Sequence, residues 1–253
     1  MRLLFETFPY NNIRLLGAIF LFEEDLIIFI TGTTATGKST LAKNLLNEFK
    51  NSLWLEEYDI IREAIRKYSD NISNILQIYI KDSNLKSQID NELKLELLNK
   101  STSSLEYSQI LEQSDILIEP LISICKRLIR KRIPCIIEGT NLCLEALFKN
   151  SCFLDFLLNH KSIIFINMYI SDSDEYKKRI MSRDKGRGEN THQKNFKNIL
   201  KNNKLYFDYA DKFCKISLIK YKNNEIKLNL LNVDNTTDSS KLIVDYLRAF
   251  NLS

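Results

Sequence analysis

DLIIFITGTTATGKSTLAKNLL, residues 25–46, decides how this chain reads. A continuous apolar run ends in Gly32, as a central parallel strand buried on both faces would. Downstream, Leu41, Leu45 and Phe49 recur at helical spacing. Between them Gly32-Thr33-Thr34-Ala35-Thr36-Gly37-Lys38-Ser39 fills G-x-x-x-x-G-K-[ST] at every position, in the strand–loop–helix setting that motif requires. The glycines let the backbone wrap closely round a polyphosphate. Exposed amides and the helix N-terminus favour negative charge there. Lys38 has the reach for β- and γ-phosphates, and the hydroxyl of Ser39 suits Mg²⁺. The stretch from Gly32 to Thr40 is therefore expected to bind a nucleoside triphosphate.

Working outward, the same alternation continues. SLWLEE (52–57) reads as a second strand with Trp54 in the core, and DIIREAIRKY (59–68) as a helix with Asp59 at its N-cap. Residues 70–132 are helical in pattern, interrupted by KSTSS (100–104). IPCIIEGT (133–140), SIIFINMYIS (162–171) and IKLNLLNV (226–233) read as further strands, and KISLIKY (215–221) as an extra one paired to the last through Asn223 and Asn224. Strands alternating with helices imply an α/β fold with a parallel sheet covered on both faces. The expected organisation is an N-terminal extension over 1–24, then one domain over 25–253 with a helical insertion at 70–132 and a lid at about 180–192.

Composition sets the class. The chain has 253 residues, enough for one α/β domain with an insertion, and its 44% hydrophobic and 27% charged content is ordinary for a soluble globular protein. Its net charge of +4 is diluted among 36 basic and 32 acidic residues, which argues against a nucleic-acid partner. The apolar LLGAIFLF (15–22) is too short to span a bilayer and is followed by acidic residues, so no membrane partner or signal peptide is expected. Five cysteines without CxxC spacing read as reduced thiols of a cytoplasmic protein. His160 and His192 have no metal-ligand neighbours in sequence and read as structural or surface residues.

A GTPase would need N-K-x-D and a transporter-type ATPase an L-S-G-G-Q-like signature; neither is present. Three other segments suit phosphoryl transfer to a second substrate. Tyr58-Asp59-Ile60-Ile61-Arg62 follows the second strand, where strand C-termini line the ligand crevice. Asp59 could take a proton from an acceptor hydroxyl, and Arg62, one turn on, could hold an anionic substrate. A plain capping Asp with a surface Arg would look the same. Glu138, ending the strand in Ile136-Ile137-Glu138-Gly139, could hold a Mg²⁺-bound water or orient the acceptor; a strand-mouth charge paired to a lysine is the alternative. Finally, Lys177 to Gly188 is basic and ends in a glycine-punctuated loop. Arg183 and Arg187, four apart, could converge on charge developing in transfer while a lid excludes water.

In that order, GTTATGKST, YDIIREAIRKY, ILIEPLISICKRLIRKR with IPCIIEGTNL, and YISDSDEYKKRIMSRDKGR resemble the 2-phosphoglycerate kinase family of P-loop kinases across most of 25–214. The resemblance implies an adenylate-kinase-like core and use of ATP with Mg²⁺. It also implies donor binding by Gly32 to Thr40, a catalytic or substrate role for Asp59 and Arg62, and lid contacts by Arg183 and Arg187. The chain departs from that family in TTAT within the loop, in the lack of a Pro-Gly turn after IIEGTNL, and in the added KISLIKYKNNEIK hairpin. These differences touch the acceptor side, so a kinase is better supported than 2-phosphoglycerate as its substrate.

The expectation is thus an ATP-dependent phosphotransferase acting on an alcohol group of a small, anionic metabolite. A polynucleotide 5′-hydroxyl kinase, a toxin-like sugar-nucleotide kinase and a nucleotide-gated binding module without transfer are the rivals.

Overall fold

The computed structural model describes residues 24–49, 52–67, 96–188, 190–236 and 239–252. The N-terminal extension therefore lies almost wholly outside the described residues, as does the 70–95 part of the helical insertion. Five strands form one parallel sheet: β1 (Ile27–Thr31), β2 (Trp54–Glu57), β3 (Cys135–Glu138), β4 (Ile163–Tyr169) and β7 (Asn229–Asp234), in the order β2-β3-β1-β4-β7. A two-stranded antiparallel hairpin, β5 (Leu218–Tyr221) with β6 (Asn224–Lys227), stands apart from it.

The helices are α1 (Lys38–Glu48), α2 (residues 58–67), α3 (Tyr107–Arg130), α4 (Leu144–Lys149), α5 (Ser151–Asn159), α6 (Ser173–Arg187), α7 (Thr191–Lys194), α8 (Phe196–Ile216) and α9 (Ser240–Leu252). Side chains alternate across a strand, and both sets in the central strands are apolar. Ile27, Phe29, Cys135, Ile137, Ile163 and Phe165 face a core built with α3, α4, α5 and α8. Ile28, Ile30, Ile136, Ile164, Ile166 and Met168 face the opposite core, with Leu41, Ala42 and Leu45 of α1 and Ile243, Val244 and Leu247 of α9. On the first face the rings of Phe29 and Phe165 stack with centroids 5.2 Å apart, and Phe153 meets Phe29 edge-on. Truncating either stacked ring to alanine would cost about 3–5 kcal/mol.

The structure departs from the sequence reading in four places. Trp54 is 56% exposed, on the edge strand β2, where its indole N–H donates to Glu56 on the same face. The segment read as one strand over 226–233 divides near Leu228: its first residues close the hairpin with β5, and only Asn229–Asp234 join the sheet. Helix α2 starts at residue 58, so Asp59 lies in the first turn rather than capping it. The basic stretch read as a loop is helical through Arg187, with Gly188 as its C-cap.

Candidate functional site

β1 connects through α1 to β2 on one side while its neighbour β3 connects past it to β4 on the other, and the crevice beyond their C-terminal ends is where an open α/β sheet binds ligands. The loop Gly32 to Gly37 fills that position. Gly37 has φ 96°, and a methyl group there would lie 2.4 Å from Nδ2 of Asn235, so neither the backbone nor the space admits a side chain. Asn235 Nδ2 donates to the Thr36 carbonyl at 2.9 Å, and Thr36 Oγ1 donates to the Thr33 carbonyl at 2.9 Å.

Lys38 is 7% exposed, and its Nζ donates to the same Thr33 carbonyl at 2.8 Å. Burial pushes its ammonium below the ordinary lysine range, against the carboxylates of Glu138 and Asp59; the guanidinium of Arg183 pushes it down further. The lysine is thus buried by its own loop and still lies within electrostatic reach of three of the five other charged groups singled out from sequence, Asp59, Glu138 and Arg183. Next to it, Ser39 Oγ donates to Oε1 of Glu138 at 2.7 Å, and Glu138 is itself 7% exposed.

Asp59 stands exposed at the start of α2. Neighbouring Tyr58 is buried, with its hydroxyl donating to the Leu117 carbonyl, which ties α2 to α3. A methyl group at Gly139 would come within 3.0 Å of Tyr58 Cβ and 3.8 Å of Asp59 Oδ1, so the glycine lets the end of β3 approach that carboxylate closely. Asn141 Nδ2 reaches Asp59 Oδ1 at 3.5 Å, while the Oδ1 of Asn141, a residue 1% exposed, has no partner. Arg62 pairs with Glu63 at 3.0 Å and leaves its buried Nε unpartnered.

From the other side, α6 brings Arg179, Arg183 and Arg187 to a cavity of about 470 Å³ shared with Ala35, Gly37 and Lys38. Burial and the neighbouring charge of Arg187 push Arg183 below the usual arginine range, and its Nε has no partner. Cations that burial and one another disfavour, beside donors left unpaired, are a site built for an anion. A second cavity of about 210 Å³ adjoins it, lined by Gly37, Thr40, Leu41, Met168, Arg179 and Asn235. A larger hollow of about 690 Å³ against α3 shares no residue with the loop and presents Glu96, Glu112, Asp115 and Glu119, which suits phosphate poorly.

Ser39 and Glu138 offer a hydroxyl and a carboxylate side by side, the oxygen donors Mg²⁺ accepts when phosphates and water complete its shell. Among the described residues no group of three or more His, Cys, Asp or Glu is placed to hold a metal alone. No helix among them is long and apolar enough to cross a membrane, and all five cysteines are free.

Several site residues were not singled out from sequence. Asp184 is fully buried, accepting from the Gln193 amide at 2.9 Å and pairing with His192 Nδ1 at 2.5 Å, which fastens the end of α6 to α7 beside Arg183. His192, read as structural or surface, is buried in that pair. Tyr176, Asn203 and Asn235 approach the loop from α6, from α8 and from the turn after β7. Nothing in the spacing of those residues marks them, since each acts only once the sheet brings it to the loop.

No family model matches the chain, and no curated protein matches it. Among solved structures it is similar to a kinase candidate of Chloroflexus aurantiacus, at 16% identity over 90% of this chain and 96% of that one, TM-score 0.39. It is also similar to an uncharacterized protein of Eubacterium ventriosum, at 15% identity over 89% and 99%, TM-score 0.39. The third is shikimate kinase of Acinetobacter baumannii in complex with shikimate, at 14% identity over 90% and 96%, TM-score 0.38. None of the three is named a 2-phosphoglycerate kinase. The α/β assignment rests on the chain's own sheet order and phosphate loop.

Proposed function

We propose that this chain is an ATP-dependent kinase that transfers the γ-phosphoryl group to a hydroxyl of a small anionic metabolite. One observation carries the reading: the Lys38 ammonium at the phosphate loop lies within the electrostatic reach of Asp59, Glu138 and Arg183, which come from three different elements. Gly32 to Thr40 would hold the triphosphate, with the nucleoside end in the cavity bounded by Leu41, Met168 and Asn235. Ser39 and Glu138 are the residues that would hold Mg²⁺, which would supply charge to offset that of the donor's phosphates. Lys38, Arg183 and Arg187 supply fixed positive charge where negative charge builds on the departing phosphate. Asp59, at the exposed mouth, takes the acceptor's proton as its oxygen bonds to the γ-phosphorus and the bond to the β-phosphate oxygen breaks. Arg62 anchors the acceptor's own anionic group.

By resemblance, 2-phosphoglycerate-like anions are the first acceptors to try, and the free thiols suit a cytoplasmic setting. The deciding experiment offers γ-labelled ATP with a panel of phosphorylated metabolites, nucleosides and 5′-hydroxyl oligonucleotides. Label should pass to a small anionic alcohol. Label on oligonucleotides alone would favour a polynucleotide kinase, and tight ATP binding with transfer to nothing would favour a nucleotide-gated module.

A further inference from the structure

A planar trans peptide points its C=O and N–H in opposite directions, so whatever grips a loop carbonyl also decides where the next amide faces. Three carbonyls of the phosphate loop are gripped. That of Thr33 is held from within, by Thr36 and Lys38. That of Thr36 is held by Asn235. That of Thr34 is held by the hydroxyl of Tyr176, which donates to it at 2.7 Å from 142 residues away. Having given its single proton to Thr34, the same hydroxyl accepts from Thr33 Oγ1 at 2.6 Å. Tyr176 is fully buried, and burial pushes its hydroxyl above the ordinary tyrosine range, so it stays a donor.

The residue after Thr34 supplies an independent observation. Ala35 has φ 60°, a left-handed conformation an alanine adopts only when its surroundings hold it there. Ala35 also lines the cavity with Lys38 and Arg183. Tyr176 in turn belongs to α6, one turn before Arg179 and two before Arg183.

Resting on the kinase reading, we propose that Tyr176 is a positioning residue for phosphate binding: its hydroxyl fixes the Thr34–Ala35 peptide so that the Ala35 N–H faces the anion, and the same contact sets α6 and its arginines at a constant distance from the loop. The loop and the arginine helix then act as one body, and a closing motion at this end of α6 would have to break two buried hydrogen bonds.

The test compares binding of three probes, ATP, inorganic tripolyphosphate and adenosine, by titration calorimetry. Tyr176→Phe should weaken ATP and tripolyphosphate about tenfold, the order expected when a buried acceptor loses its partner, and leave adenosine within about twofold. Thr33→Val should do the same, and the two together should lose little more than either alone, since both break one network. Equal loss for all three probes, no loss for any, or additive losses would overturn the proposal. Should Tyr176→Phe fail to fold, Thr33→Val carries the same three-probe comparison. Wild-type protein that binds ATP but phosphorylates no acceptor would sink the kinase reading and leave these affinities interpretable.

Discussion

Ser39 Oγ and Glu138 Oε1 stand 2.7 Å apart although 99 residues separate them in sequence. The contact joins the first residues of α1 to the last residue of β3, and it is made at the loop that would hold the phosphates. A carboxylate buried to 7% exposure with a hydroxyl donor beside it is placed for a hydrated cation to enter between them.

Glu138→Gln is therefore expected to raise the Mg²⁺ concentration for half-maximal turnover by about 10–100-fold. Initial rates across a Mg²⁺ titration at saturating ATP check this. An unchanged Mg²⁺ dependence would remove Glu138 from the metal site.

Lys38→Ala should lower phosphoryl transfer by about 10²–10³-fold, the scale for losing one preorganised charge at a transition state. Its thermal midpoint should not fall, because the buried ammonium is disfavoured by desolvation in the absence of a ligand. Labelled-ATP assays and thermal melts on the same preparation read both halves.

Asp59→Asn keeps the shape and removes the proposed proton acceptor. Turnover should drop about 10²–10⁴-fold, as for loss of a general base, with the KM for ATP within about twofold. If turnover survived, Asp59 would not be the base and Glu138 would be the next candidate.

The carboxyl of Asp184 is held below its ordinary value of 3.8: burial works against the charge, and the Gln193 amide and His192 outweigh it. A depressed carboxylate contributes stability that is fully present above 3.8 and is lost as pH falls through the lower folded value. Asp184→Asn should flatten that acid limb in urea-unfolding curves taken across it. Turnover at neutral pH should also drop, since Arg183 loses its neighbour's anchor to α7.

Ala35→Gly removes a left-handed alanine. The relieved strain exceeds the added chain entropy by a small margin, so stability should rise by about 0.5–1 kcal/mol. Urea denaturation measures it; a loss of stability would mean the alanine methyl packs usefully against Tyr176, Ile180 and Ile199, the small core it borders.

What the sequence made legible were features whose cause is local. The loop motif and the apolar strands depend on neighbours a few residues away. Trp54 was misjudged because apolar character in a strand does not say whether that strand is central or at an edge. The break near Leu228 was missed because one β-rich run can serve two different sheets. Tyr176, Asp184 and Asn235 were silent because their roles are to grip backbone or side chains brought close by tertiary structure.

Asn235 holds the Thr36 carbonyl across 199 residues of chain. During synthesis the phosphate loop emerges long before this brace, which follows β7. A growing polypeptide would carry the loop with its cradle incomplete until Asn235 had emerged and β7 had joined the sheet, so competence to hold the donor should appear abruptly at that point and not accrue strand by strand.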